Sequence, residues 1–198
     1  MSAALKPLPG RVTVAEFLDW PDDPYGLRQQ LVDGHVTLMA PSHVIHGMIA
    51  ANLGYALVGH LRQARPGCSV VTEPGISPRI QGNTNVRIPD LGVTCAPVRG
   101  NAPLMLEPLL VAEIMSPSNH AETWSNIWTY FTIPSLMEIL VIQSTSVGAE
   151  VFRRQQDGGW PETAEKVVAL DGMVRLASID AAFTLGEFYR GTDLAQPP

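Results

Sequence analysis

The chain has 198 residues, 45% hydrophobic and 16% charged, which suits one globular domain with a proper core. A formal net charge of −6 argues against tight non-specific binding to nucleic acid, but it leaves room for a local basic groove or a metal-screened site. Cys68 and Cys95 lack a Cys-x-x-Cys neighbour, which argues against a zinc site or redox pair, and they read as small buried thiols of a reducing cytoplasm. No apolar leader stands at the N-terminus and no segment reads as a membrane span, so a soluble cytoplasmic protein with no membrane partner is expected.

Residues 1–11 read as a flexible arm, 12–190 as one domain, and 191–198 as a tail. Thr13 and Glu16 stand at the capping-box spacing and open a helix that Pro21 to Pro24 ends. Leu27 to Met39 alternates around Asp33–Gly34, which predicts a tight hairpin. Ser42 is placed to cap the next element. Ile45, Ile49, Leu53 and Leu57 fall at i, i+4 and predict an amphipathic helix from Val44 to about Leu61.

Strands are predicted over 68–73, 76–80, 86–95 and 108–115. A helix over 122–131 carries Trp124, Ile127, Trp128 and Phe131 on one face, and 137–142 reads as a buried strand. Residues 149–154 and 166–169 form a hairpin, 174–176 extends that sheet, and 183–189 is a terminal helix before a frayed end at Gln196 to Pro198. The fold class is α/β (α+β), a mixed β-sheet flanked by helices.

Two carboxylates stand out. Asp90 leads into Leu91–Gly92–Val93, and Glu113 follows Leu109 to Ala112. A carboxylate inside a strand core is costly unless something pairs with it. Two on neighbouring strands repel, and the usual resolution is a metal ion or a shared proton. A hard ion such as Mg²⁺ suits that pair, and it activates water for phosphodiester hydrolysis. Taken singly, each acid reads more readily as a turn or rim residue than as a ligand; the pairing and order favour the ligand. Arg62, Arg65, Arg79 and Arg87 cluster in sequence, either as a phosphate-contacting face or as a solvated rim. Glu73 reads as a surface acid beside the Pro74–Gly75 turn. Trp124 and Trp128, at i, i+4, read as core packing rather than a base-stacking platform. Serine-nucleophile, phosphate-loop and dinucleotide signatures are absent.

Several short motifs come in a telling order: Leu31–Val32–Asp33–Gly34, Pro41–Ser42 with His46, Glu73–Pro74–Gly75, Pro89–Asp90, and Val111 to Ser118. Tyr130–Phe131, Ile133–Pro134 and Leu185 to Tyr189 follow. In this order the chain resembles the bacterial restriction endonucleases of the Uma-two type, within the PD-(D/E)xK nuclease superfamily, over roughly residues 12–190. The resemblance implies a restriction-endonuclease-like core. It makes Asp90 and Glu113 metal-binding acids, with the Ile114 carbonyl as a further ligand, and His46 a supporting residue. It further implies Mg²⁺ (or Mn²⁺) as cofactor, DNA as partner and a homodimer.

Two positions depart from the pattern. Gln30 stands where a glutamate is usual, and Asn126 stands four residues before Tyr130, where a lysine is usual. The superfamily's own lysine position holds Met115. Gln30 and Asn126 therefore occupy catalytic positions without charge. Two readings stay open: a metal-dependent DNA endonuclease, or a non-catalytic relative that binds nucleic acid or protein.

Overall fold

Thr13 caps α1 (Val14–Leu18). Its hydroxyl accepts from Glu16 N, and the Glu16 carboxylate accepts from Thr13 N. The computed structural model describes residues 10–19, 27–39, 42–117 and 119–195. The expectations for residues 1–9, Pro21 to Pro24, Ala40–Pro41, Ser118 and Gln196 to Pro198 lie outside these.

Strands β1 (Gln29–Val32) and β2 (His35–Leu38) form the expected hairpin. Asp33 (φ 50°) and Gly34 (φ 83°) supply the two left-handed residues of a primed turn. Asn85 exchanges two hydrogen bonds with Asp33, each 3.0 Å, and Leu31 bridges Val86. The hairpin is thereby tied to the segment that leads into Asp90.

Helix α2 (Val44–Ala64) buries Ile49, Leu53, Leu57 and Leu61. His43 rather than Ser42 is its N-cap, and no side chain caps it. At 21 residues, α2 is by length and composition long and apolar enough to cross a membrane, contrary to expectation. Glycines and alanines between its apolar residues extend the apolar run. Its buried face packs on the main sheet.

That sheet runs β3 (Ser69–Thr72), β4 (Leu91–Thr94), β5 (Pro108–Met115), β6 (Glu138–Gln143), β7 (Ala149–Arg153) and β8 (Glu165–Val167), in chain order. All neighbours are antiparallel except β5 and β6. A parallel pair needs a crossover, and α3 (His120–Tyr130) supplies it. Side chains alternate along β5. Leu110, Ala112 and Ile114 join the core under α2, while Val111 and Met115 join the cluster under α3. Glu113 therefore falls on the α3 side.

Several expectations are corrected. The strand over 76–80 is a single bridge, Ile76 to Arg87. The strand over 86–95 starts only at Leu91, since Pro89 has no N–H to donate to a ladder. β9 (Met173–Leu176) pairs with β10 (Ala181–Thr184) in a separate two-stranded sheet, so α4 (Leu185–Phe188) begins later than expected. Leu194 and Ala195, assigned to the tail, pack against the core. On α3 the buried face holds Thr123, Asn126, Ile127 and Tyr130, and Trp128 is 64% exposed. Of the predicted face, Ile127 is buried and Trp124 and Phe131 pack against the cluster under α3, while Trp128 lies outside it and Asn126 and Tyr130 turn toward Glu113. Cys68 and Cys95 form a disulfide rather than separate thiols. The β3–β4 register, Ser69 opposite Thr94, brings them face to face one step further on; a separation of 27 residues conceals this in sequence.

Glu138 is a structural acid. Fully buried on β6, it accepts from Arg153 Nε (2.7 Å), Ala177 N (3.0 Å) and Ser178 N (2.8 Å), and so holds the end of β9 against the sheet. Glu138→Ala strands two amides and leaves Arg153 unpaired at its Nε, with only its Glu165 and Arg175 partners, and the expected loss is about 3 kcal/mol. Urea denaturation measures it; a loss under ~1 kcal/mol would mean that these bonds are replaced by water.

Candidate functional site

The β4–β5 register sets Leu91 opposite Ala112, so Asp90 and Glu113 occupy the next facing positions, where the two strands diverge. Asp90 Oδ2 accepts the main-chain N–H of Ile114 at 2.6 Å and lies 3.3 Å from His46 Nε2. His46, 7% exposed, reaches it from the first turn of α2. Glu113, 5% exposed, accepts the Tyr130 hydroxyl at 2.8 Å and is also hydrogen-bonded by the Asn126 side chain. Asp90, Glu113, His46, Asn126 and Glu122 line one cavity of about 80 Å³.

Gln30 is buried but does not line that cavity. Its amide Nε2 instead donates to Glu122 Oε1, so it touches the site through a second residue. Ile114 directs its side chain into the α2 core, and its carbonyl accepts from Asn119 Nδ2 at 3.4 Å. Met115, in the superfamily's lysine position, packs in the apolar cluster under α3. Glu73 is ion-paired with Arg28 at the surface. The four clustered arginines make no common face: Arg65 pairs with Asp180 and Arg87 is buried.

Sequence reasoning missed Glu122 as a site acid. The usable signal was its place four residues before Asn126, which puts both side chains on one face of α3. Arg87, read in sequence as part of a phosphate-contacting or rim cluster, is instead the one buried Lys or Arg among the described residues. Burial weakens its hold on its proton, while Tyr130, Asp33 and Glu122 oppose that with their charge.

The electrostatics follow from burial. Desolvation, then the charge of Asp90, pushes the Glu113 carboxyl well above the usual carboxylate range. The bonds from Tyr130 and Asn126 pull it back in part, and Glu122 adds to the rise. Burial, and next Glu113, raises Tyr130 well above the ordinary phenol range. Without a cation, a proton on Glu113 is the favoured way to relieve the pair.

No three His, Cys, Asp or Glu residues form a closed metal cluster among the described residues. The donors that do converge are the two carboxylates, Asp90 and Glu113; Ile114 is not among the residues that line the cavity. That set fits an ion such as Mg²⁺, which is held by one or two carboxylates and keeps several waters.

A stability test follows for the metal-free protein. Below the unfolded-state pKa of Glu113, near 4.3, both states hold the proton and the group contributes nothing. As pH rises, the unfolded state ionises first and the folded state is penalised until its own raised pKa is passed. Glu113→Gln removes that penalty. The variant is expected to gain stability over the wild type as pH rises from 4 toward 7, measured by thermal melts in EDTA. A wild type that gains relative to the variant over that range would contradict the raised carboxyl.

Three comparisons bear on this arrangement. A structure of a putative nuclease belonging to DUF820 from Anabaena variabilis shares the fold, with a TM-score of 0.72 at 17% identity, covering 90% of this chain and 97% of that one. An uncharacterized protein of Synechocystis is 27% identical over 183 residues, covering 91% of this chain and 93% of the relative. Residues 14–177, most of the domain including both acids, match the family described as Uma2, putative restriction endonuclease. The chain belongs to that family.

Proposed function

We propose that the protein is a metal-dependent DNA endonuclease that hydrolyses phosphodiester bonds at the Asp90–Glu113 site. The observation that carries this reading is the convergence of those two acids, from adjacent strands, on a cavity that holds no lysine or arginine among its lining residues. Family membership supports the same reaction class.

Asp90, Glu113 and the Ile114 carbonyl would hold the ion. When bound, it supplies an acidified water and a positive charge at the phosphate. The residues themselves do the following. His46 Nε2 and the Ile114 N–H fix Asp90 Oδ2 between them. The Tyr130 hydroxyl fixes Glu113 Oε1. Gln30 holds Glu122 at the rim of the cavity. In the hydrolysis, a water oxygen bonds to phosphorus while one P–O ester bond breaks, and the departing oxygen takes up a proton. Asn126, in the lysine position, brings no cation to the charge that develops, so turnover is expected to be slow.

A DNA substrate implies a cytoplasmic protein, whereas the Cys68–Cys95 disulfide is a bond that an oxidising compartment favours. Cutting both strands calls for two such sites, so the working unit is a homodimer. A second reading, a non-catalytic relative that binds nucleic acid or protein, is favoured by one observation: the positions resembling the family's glutamate and lysine hold buried neutral amides, Gln30 and Asn126.

Nicking of supercoiled plasmid with Mg²⁺ or Mn²⁺ decides between them. Slow cleavage by the wild type is expected, reduced about 10²–10³-fold in Asp90→Ala. Gln30→Glu combined with Asn126→Lys is expected to speed it. No cleavage by the wild type at high enzyme concentration would favour the non-catalytic relative.

A further inference from the structure

Arg87 has no part in the hydrolysis described above, yet it is 2% exposed. A buried charge is kept only where other charges or hydrogen bonds serve it. Among the described residues its Nε has no hydrogen-bond partner. Backbone register shows what the side chain faces. Leu31 and Val86 exchange two main-chain hydrogen bonds, each 2.9 Å, across an antiparallel bridge, and their side chains share a small apolar cluster. The next facing pair is Gln30 and Arg87, and alternation turns both to the opposite side. That side is α3, because Gln30 Nε2 reaches Glu122. A second bridge agrees. Arg87 faces Ile76 through two main-chain bonds of 2.8 Å, and Ile76 packs in the cluster under α3 that also holds Tyr130.

The guanidinium therefore lies beneath the face of α3 that carries Glu122, Asn126 and Tyr130. The charges of Tyr130, Asp33 and Glu122 act on it, and of these three Glu122 lines the cavity. Three acids line that cavity, Asp90, Glu113 and Glu122, while Asn126 is neutral. Gln30 offers Glu122 a donor but no charge. Arg87 brings that charge from the facing backbone position.

We propose that Arg87 is a positioning residue for the hydrolysis: with Gln30, its buried guanidinium holds the Glu122 carboxylate at the cavity and gives the site a fixed positive charge that Asn126 does not bring. The inference deepens the nuclease reading and rests on it. Arg87 does not line the cavity, so it acts through Glu122 and not on the phosphate. With Glu122 balanced from beneath, Asp90 and Glu113 are left as the acids that an ion meets.

The test joins thermal melts in EDTA to plasmid nicking with Mn²⁺. In the wild-type background, Glu122→Gln is expected to lower the melting temperature by about 5 °C, because it leaves Arg87 buried without its counter-charge. In an Arg87→Met background the same change is expected to raise it, because an uncompensated acid is removed. Equal shifts in the two backgrounds would overturn the pairing. If Arg87→Met does not fold, the double variant is expected to fold, and its failure to do so would also overturn the pairing. In nicking, Arg87→Met is expected to be about tenfold slower than the wild type, and Arg87→Lys close to it. A lysine no better than methionine would mean that Arg87 only packs, and would overturn the positioning role. An inactive wild type would overturn the nuclease reading and the role in hydrolysis with it, even where coupled melts uphold the Arg87–Glu122 pair. An active wild type with uncoupled melts would overturn this inference alone.

Discussion

Asp90 and Glu113 repel each other in a place where water cannot easily screen them, and the surrounding structure is arranged around that conflict. Glu113 sits on a strand buried at seven of its eight positions and is itself 5% exposed, with an apolar residue on either side. A lone charge there is costly, and a second acid beside it raises the cost. Among the described residues, the Ile114 amide donates to Asp90 and His46 Nε2 lies 3.3 Å from it, while Tyr130 and Asn126 donate to Glu113. Those bonds hold the acids in place but bring no full positive charge in direct contact with either carboxylate. The remaining negative charge is what the proposed metal ion would relieve.

The architecture explains how two strands deliver both acids to one cavity. Alternation along β5 sends Leu110, Ala112 and Ile114 under α2 and leaves Glu113 facing α3. The parallel step from β5 to β6 requires a crossover, and the crossover helix is the one that carries Glu122, Asn126 and Tyr130. Pro89 delays the start of β4, so Asp90 lies at the end of the ladder instead of within it. Three features that a fold needs anyway, a sheet period, a crossover and a strand end, thus converge on the same few ångströms.

Much of this was legible in sequence for physical reasons. β5 was read with its observed bounds because an eight-residue apolar run allows little else. The Asp33–Gly34 turn and the Thr13–Glu16 cap carry their chemistry in adjacent residues. What escaped was long-range. The facing of Cys68 and Cys95 depends on strand register, and the removal of β9 from the main sheet depends on its pairing with β10. The tryptophan face of α3 was predicted from hydrophobicity alone. The polar demand of Glu113 on the opposite strand turned Asn126 and Tyr130 inward instead. Glu122 was overlooked for the same reason: an acid in the first turn of a helix reads as an ordinary solvated residue until its partner, Gln30, is known in space.

The most direct test of the central claim is anomalous diffraction from crystals grown with Mn²⁺. A manganese peak within coordination distance of both Asp90 and Glu113 carboxylates is the predicted result. Its absence at saturating Mn²⁺, with Glu113 still bound only to Tyr130 and Asn126, would mean that a proton rather than a metal ion resolves the acid pair.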